Sequence, residues 1–456
     1  GVDHRPLPRE DGQGVGHRER PERLPARAGP PRRGRRPDQA PGDSLNANPG
    51  APGDAAEAGD PGRSQMMTGV IQTTANEDFI RKLRRICEST NVSFLLGAGC
   101  SMPAFGTLGN IETLREMLDD DDSIDEHQKL LIRASLDAAF FLKSIYPNVK
   151  YLDSETSDAD VLDTKENYSN FTEYAMNLVR FRESPLLARQ VTFFVTNYDI
   201  CMDYALDEAA VPTNAGHVGR FNKKVVLDDF GRRVNANTLT YGYQSEIASA
   251  NVVKLHGCVS WRNISGNLHF SDVKTTLSEI IDAIDWDHLL EVERLDEDET
   301  DEELYNRLKT AQPSAVATPA ELQETIDKIA EPQLVLPNKT KFKTTVLSEV
   351  YYAQLRRLTN QLEVRNTTLI VVGFSFADEH IRKLIIRSAN ANPTLNVIVI
   401  CFNKTAAENI CSNLEDETQY PIKNSNILLV LPEDPEDPTD CLNLNTLSTI
   451  LRKLPA

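Results

Sequence analysis

The stretch VSFLLGAGCS, residues 92–101, decides the fold of this chain. Its apolar run begins at Val92 and ends abruptly in the glycines Gly97 and Gly99, with Ser101 close behind. An apolar run of this length closed by glycines is typical of a buried parallel strand that leads into a tight turn. In α/β folds such a turn brings backbone amides close to a pyrophosphate. A plain tight connection is the alternative interpretation, so the stretch by itself leaves nucleotide binding open.

The remainder of the chain repeats this alternation of apolar runs and amphipathic segments. Further strands are predicted near 191–195, 252–255, 334–336, 368–372 and 395–401. Helices are predicted near 76–90, 171–182, 201–209, 344–362 and 379–389. Strands alternating with helices predict an α/β fold, a Rossmann-like doubly wound parallel sheet. We expect a helical insertion near 111–182 and an acidic insertion near 266–332, which contains ERLDEDETDEE.

Residues 1–65 differ in composition from the rest. They contain eleven Arg, ten acidic residues and no Lys, and they are crowded with Pro, Gly and Ala. Without apolar periodicity such a segment cannot bury enough surface to offset its chain entropy. We therefore expect a disordered, non-native head, with translation naturally beginning at Met66-Met67 and one domain spanning 66–456. A basic arm that binds nucleic acid is the alternative.

The charge of the remaining chain limits the classes of partner. From residue 66 onward there are 38 basic against 58 acidic residues. Such a body repels polyanions on average, so we expect no direct contact with nucleic acid. Seven cysteines occur without a CxxC pair, which argues against a zinc module and a disulfide scaffold, and no metal site is expected. With no signal peptide after residue 66 and no apolar run of about 20 residues, we expect a cytoplasmic location and no membrane association.

Five predicted strands each end in a short polar or glycine turn. The turns are GAGCS at 97–101, TNYD at 196–199, HG at 256–257, GFSF at 373–376 and CFN at 401–403. In an open parallel sheet the ligand lies outside the carboxyl ends of the strands. The five turns are therefore expected to converge on one crevice.

The order GAG-x-S, T-N-x-D, K-L-H-G and G-F-S resembles the sirtuin family and its bacterial NAD-consuming relatives, over most of residues 92–403. Sirtuins bind NAD on a Rossmann-like domain and cleave its nicotinamide glycosidic bond. The resemblance implies catalytic roles for Asn197, His256 and Asp199. It implies cofactor contacts for Gly97, Ala98, Gly99, Ser101, Thr196, Gly373, Ser375 and Asn403.

Each of these residues also has a structural interpretation. Asn197 offers one acceptor and two donors to a ribose or an attacking water, but an Asn after a strand is commonly a turn residue. An imidazole such as that of His256 can take a proton near neutral pH, yet a His before Gly is commonly a loop residue. Asp199 could orient these groups or only cap its helix. Ser375 and Asn403 could contact the adenosine side or simply finish strands.

Departures from the sirtuin pattern favour one branch of the family. Deacylating sirtuins carry a four-cysteine zinc module after the catalytic histidine, and no CxxC follows His256. The segments TNYD, KLHGCVSW and GFSFADEHI resemble those of the sirtuin-like domains of bacterial anti-phage systems. The resemblance then implies an NAD+ glycohydrolase that uses NAD as substrate, pairs with a HerA-type ATPase and forms a homo-oligomer. A protein deacylase and a non-catalytic NAD or ADP-ribose sensor are the alternatives, and a nuclease is a weaker one.

Overall fold

The computed structural model describes residues 69–106, 111–182, 184, 186–219, 221–226, 230–237, 242–293, 299–334, 345–415 and 421–454. These residues belong to one compact unit. The predicted head at 1–65 lies outside the described residues, as does the predicted start at residues 66–67.

The strands are short and most are apolar. They are β1 (Val70–Thr74), β2 (Asn91–Leu96), β3 (Gln190–Val195), β4 (Thr213–Asn214), β5 (His217–Val218), β6 (Lys224–Val225), β7 (Val234–Asn237), β8 (Gln244–Ile247), β9 (Ser249–Lys254), β10 (Gly257–Ile264), β11 (Asn267–Phe270), β12 (Pro332–Leu334), β13 (Thr367–Val372), β14 (Asn396–Ile400) and β15 (Ile427–Leu431).

Helices separate the strands of the main sheet. They are α1 (Glu77–Ser89), α2 (Ile111–Asp120), α3 (Glu126–Phe140), α4 (Pro147–Leu152), α5 (Ala159–Arg180), α6 (Cys201–Glu208), α7 (Val273–Ala283), α8 (Asp301–Thr310), α9 (Pro319–Ile329), α10 (Thr345–Glu363), α11 (Glu379–Ala391), α12 (Lys404–Glu415) and α13 (Leu444–Arg452).

The main sheet has eight strands in the order β1-β15-β14-β13-β2-β3-β9-β4. Every neighbouring pair in it is parallel. Within it, β9-β3-β2-β13-β14-β15 is the strand order 3-2-1-4-5-6 of a doubly wound Rossmann-type sheet. The prediction of a Rossmann-like parallel sheet is therefore confirmed. Strand order reverses between β2 and β13, and a ligand crevice is expected outside their carboxyl ends.

Both faces of the central strands are buried, which explains their nearly continuous apolar sequences. In β2, Phe94 contributes to one core layer and Leu95 to the other, since successive side chains point to opposite faces. On the first face the rings of Phe94, Phe171 and Phe193 pack within 5.9 Å of one another. Buried aromatic surface of this size anchors β2 and β3 beneath the turns that follow them.

Two segments do not follow the alternation of parallel strands and helices. Residues 111–180 supply α2 to α5, and α2 ends within the acidic run 119–122. A second sheet, in the order β12-β10-β11-β6-β5, is antiparallel and lies outside the main sheet. Leu334, the first residue of the predicted strand at 334–336, lies in β12, and residues 335–336 lie outside the described part of the chain.

Candidate functional site

The turns after β2 and β13 lie backbone against backbone at the switch point. The amide of Gly97 donates to Val372 O at 3.0 Å, and that of Gly99 donates to Gly373 O at 3.0 Å. A Cβ on Gly97 would lie 2.2 Å from the carbonyl oxygen of Gly373. Gly373 itself has φ +66°, a left-handed conformation that favours glycine. The glycines are therefore required by close packing of two turns, a reason that the sequence did not reveal.

The same packing occupies the amides of the first turn. Besides Gly97 and Gly99, Cys100 donates its amide to Gly97 O at 3.0 Å, and Ser101 donates to Ala98 O at 3.1 Å. A phosphate could bind these four amides only by replacing bonds to protein carbonyls. The cofactor contacts expected of Gly97, Ala98 and Gly99 stay predictions.

Asn197, after β3, is locked against the first turn. Its Nδ2 donates to Gly97 O and to Ser101 Oγ, both at 3.0 Å, and the side chain is buried. Because a carbonyl only accepts, the bond to Gly97 fixes the orientation of the amide. Both N–H groups are thereby used. The sequence suggested that Asn197 offers two donors and one acceptor, but the geometry leaves only the Oδ1 acceptor, 3.5 Å from the hydroxyl of Thr196.

Ser101 connects Asn197 to a buried carboxylate. Its Oγ donates to Asp199 Oδ2 at 2.7 Å and lies 2.8 Å from the hydroxyl of Tyr168. Since the single hydroxyl proton goes to the carboxylate, Ser101 accepts from both Asn197 and Tyr168. Burial raises the pKa of Tyr168 well above its ordinary value, which keeps this phenol a donor. Hydrogen bonds among Ser101, Asp199 and Tyr168 therefore hold the amide of Asn197 in one orientation.

Asp199 contacts both the start of α6 and the hydrogen-bond network of Asn197. Its Oδ1 accepts the amide of Cys201 at 3.1 Å in the first turn of α6, while Oδ2 accepts from Ser101. The cap position itself is Ile200, which has no capping side chain. Asp199 therefore supports both the start of the helix and the orientation of Asn197, and within the described contacts it acts through Ser101.

His256, between β9 and β10, contacts the turn that carries Asn197. Its Nδ1 lies 3.1 Å from the carbonyl oxygen of Thr196, which must accept, so this nitrogen carries a proton. The ring lies between those of Tyr198 and Tyr351, with centroids 6.4 Å away in each case. Its Nε2 is buried without a hydrogen-bond partner among the described residues, although Asp378 Oδ2 lies 3.1 Å away. With Nδ1 held by Thr196 O, Nε2 is the ring nitrogen left to exchange a proton with a ligand.

Sequence reasoning missed two charged groups of this region. From the sequence, an Asp directly before the predicted helix 379–389 predicts an N-cap, and Asp378 has this role: it accepts the amide of Ile381 at 3.0 Å. Its second oxygen faces His256. Lys254 is buried, pairs with Asp203 at 2.8 Å and donates to Asp199 O at 2.6 Å. A lysine inside the apolar run of β9 was the available signal.

The predicted residues Ser375 and Asn403 lie after β13 and β14, but their side chains serve local turns. Ser375 Oγ accepts the amide of Ala377 at 3.4 Å and is exposed. Asn403 Oδ1 accepts the amide of Ala406 at 2.8 Å, at the start of α12. These contacts match the strand-ending interpretation, and contact with a cofactor stays a prediction for both residues.

The described ranges lack both a cluster of metal-ligating side chains and a helix fit to span a membrane. No group of three or more His, Cys, Asp or Glu residues that could hold a metal ion occurs in them. None of the helices they contain has the length and apolar character needed to cross a bilayer.

Comparison with known proteins gives no family match and a weak structural likeness. No protein-family model and no curated protein matches the chain. A solved structure titled "Structural Basis for the Mechanism and Regulation of Sir2 Enzymes" is similar at 12% identity, with 83% of this chain and 99% of that chain covered and a TM-score of 0.33. A likeness this weak carries no argument about activity, so the α/β assignment rests on the strand order itself.

Taken together, the geometry joins Gly97, Ser101, Thr196, Asn197 and His256 into one cluster at the switch point. It places an acceptor, Asn197 Oδ1, and a proton-accepting nitrogen, His256 Nε2, on neighbouring turns of adjacent parallel strands. Buried polar atoms such as Nε2 are normally hydrogen-bonded, and one left without a partner is a candidate for contact with a ligand. Both atoms can accept, so a group that donates hydrogen bonds, such as a hydroxyl, complements them.

Proposed function

We propose that this protein is an NAD+ glycohydrolase that cleaves NAD+ to nicotinamide and ADP-ribose. The observation that carries the proposal is the locked amide of Asn197, held by Gly97 and Ser101 beside His256 at the switch point of a Rossmann-type sheet. Dinucleotides bind at this place in doubly wound sheets. The motif resemblance supplies the choice of NAD.

The chemistry of the bond suits these two residues. When the bond between ribose C1′ and the nicotinamide nitrogen breaks, its electron pair leaves with a neutral nicotinamide, and positive charge develops on the ribose as in glycoside cleavage. No strong acid is needed for this leaving group. A water oxygen then bonds to C1′ and loses a proton.

In this scheme Asn197 Oδ1 accepts a hydrogen bond from a ribose hydroxyl or from the attacking water, because both of its N–H groups are already bonded. His256 takes the proton at Nε2 and releases it to solvent. General base catalysis of this kind contributes about 10²- to 10⁴-fold to the rate. Asp199 and Ser101 orient the amide and need not touch the substrate.

The biological setting is part of the same proposal. The motif resemblance favours an anti-phage system in which the protein depletes NAD+ together with a HerA-type ATPase and assembles as a homo-oligomer. The net charge of −19 supports a division in which the ATPase contacts DNA. A cytoplasmic location follows from such a role.

Release of nicotinamide from NAD+ tests the proposal, with the purified protein alone and with a candidate ATPase and DNA. Asn197→Ala and His256→Ala should each lower release by about 10²-fold or more. His380→Ala, an exposed histidine in the first turn of α11, is the matched control and should retain activity. Unchanged NAD+ loss in both site variants would refute the assignment. Acyl-ADP-ribose formed with acetylated peptides would indicate the deacylase, and NAD binding without turnover would indicate the sensor.

A further inference from the structure

The contact between His256 and Asp378 joins the two halves of the main sheet. His256 follows β9 on one side of the switch point, and Asp378 follows β13 on the other. Nε2 and Oδ2 are 3.1 Å apart, with the side chains 14% and 10% exposed. Charges this well covered are screened little by salt, so the contact is energetically significant whenever the ring is charged.

The two carboxylate oxygens of Asp378 have different partners. Oδ1 accepts the amide of Ile381 at 3.0 Å and so caps α11. Capping uses one oxygen, and Ser or Asn caps a helix about as well as Asp. The second oxygen, the one that faces His256, is not needed for the cap.

The surroundings of His256 define what Asp378 contributes. Thr196 O holds Nδ1, while the rings of Tyr198 and Tyr351 lie against the imidazole. Burial raises the pKa of both tyrosines, so both phenols are neutral near neutral pH. Among these contacts Asp378 is the group that supplies negative charge. Its Oδ2 lies 3.1 Å from Nε2, although the two atoms do not meet the geometry of a hydrogen bond.

We propose that Asp378 is a positioning residue for His256: it holds the imidazole at the switch point and stabilises its positive charge after proton uptake at Nε2. The inference rests on the proposed function, in which the proton comes from the attacking water. The proton binds Nε2, the carboxylate stays ionised, and the pair becomes neutral overall. Through Asp378, the GFSF turn and α11 are part of the machinery that orients the base.

Two substitutions separate the cap from the charge. Asp378→Asn and Asp378→Ser both retain an N-cap side chain, and both remove the carboxylate. We expect melting temperatures close to that of the wild type and a kcat for nicotinamide release lowered by about tenfold or more, within the total contribution of a general base. Asp272→Asn is the matched control, since Asp272 caps α7 through the amide of Thr275 at 2.9 Å.

A double-variant cycle with His256→Ala tests whether Asp378 acts through the histidine. In the His256→Ala background, Asp378→Asn should have no further effect on kcat, because a positioning residue loses its role with its partner. A full additional loss in that background would overturn the inference, and so would wild-type activity in Asp378→Asn. If His256→Ala itself leaves the rate unchanged, the proposed function fails instead.

An independent readout does not need turnover. In protein labelled with ¹⁵N-histidine, the ring resonances of His256 are identified by their loss in His256→Ala. Asp378→Ser should shift the Nε2 resonance of His256, while Asp272→Asn should leave it in place. An unmoved Nε2 resonance in Asp378→Ser would contradict the contact, whatever the activity of the protein.

Discussion

Replacing Gly97 by alanine should destabilise the protein, although the change adds a single methyl group. The new Cβ would lie 2.2 Å from Gly373 O and 2.6 Å from both Gly373 C and Phe374 Cα. Real Cβ contacts essentially never fall under 3.0 Å, so the two turns must separate by roughly 0.8 Å. The obstructing atoms belong to the backbone, and no side-chain rotation can relieve the clash.

The expected magnitude combines two costs. Overpacking of a filled site costs about 1–3 kcal/mol. Separation of the turns also weakens the bonds from Gly97 N to Val372 O and from Gly99 N to Gly373 O, each worth about 1 kcal/mol. The free energy of unfolding should therefore fall by about 3–5 kcal/mol. Since Gly97 O also accepts from Asn197, the orientation of that amide and the rate of NAD+ cleavage should suffer together.

Urea unfolding followed by circular dichroism measures the effect, because a midpoint shift at constant slope gives the change in unfolding free energy. Gly231→Ala is the matched control: a Cβ there meets no atom within 4 Å, and its φ is not positive. The free energy of unfolding of that variant should rise by about 0.4–1 kcal/mol, because alanine restricts the unfolded chain more than glycine does. Equal midpoints for the two alanine variants would refute the argument from backbone contact.

Two further predictions concern buried polar contacts. Ser101→Ala removes the partner of three buried groups at once, those of Asn197, Asp199 and Tyr168. At about 1 kcal/mol or more for each group, the free energy of unfolding should fall by about 3 kcal/mol or more, and denaturant titration at neutral pH measures this loss. Arg115→Met leaves the buried carboxylate of Asp137 without its ion-pair partner and should cost about 3–5 kcal/mol at neutral pH, whereas Arg115→Met with Asp137→Leu should cost much less. Burial raises the pKa of Asp137, so in the folded state this carboxyl group keeps its proton to a higher pH than in the unfolded state. The contribution of Asp137 to the free energy of unfolding therefore falls as pH rises from the ordinary aspartate pKa to the raised pKa. The loss in Arg115→Met should accordingly shrink as pH is lowered, and a loss that is the same at every pH would contradict this account.

Much of the secondary structure could be predicted because its signals are local. The strand at Val92, the predicted helix near 76–90 and the capping role of Asp378 all correspond to observed elements. Strands β1 and β15 were not predicted, although they pair along one edge of the main sheet. In β1 the sequence VIQTT has little apolar character, so its pairing rather than its pattern makes it a strand.

The candidate site, like the secondary structure, could be predicted only in part. By itself, the sequence determined which residues end the parallel strands, because apolar runs and glycine turns are read within a few positions. The family resemblance then singled out Asn197 and His256 among them. Only the tertiary structure decided how these groups are engaged: both donors of Asn197 are used by the first turn, and His256 lies beside Asp378. Such contacts join turns about a hundred residues apart, and they depend on strand order and on the close approach of two glycine turns. No local pattern encodes them, because the partners become neighbours only when the sheet is assembled.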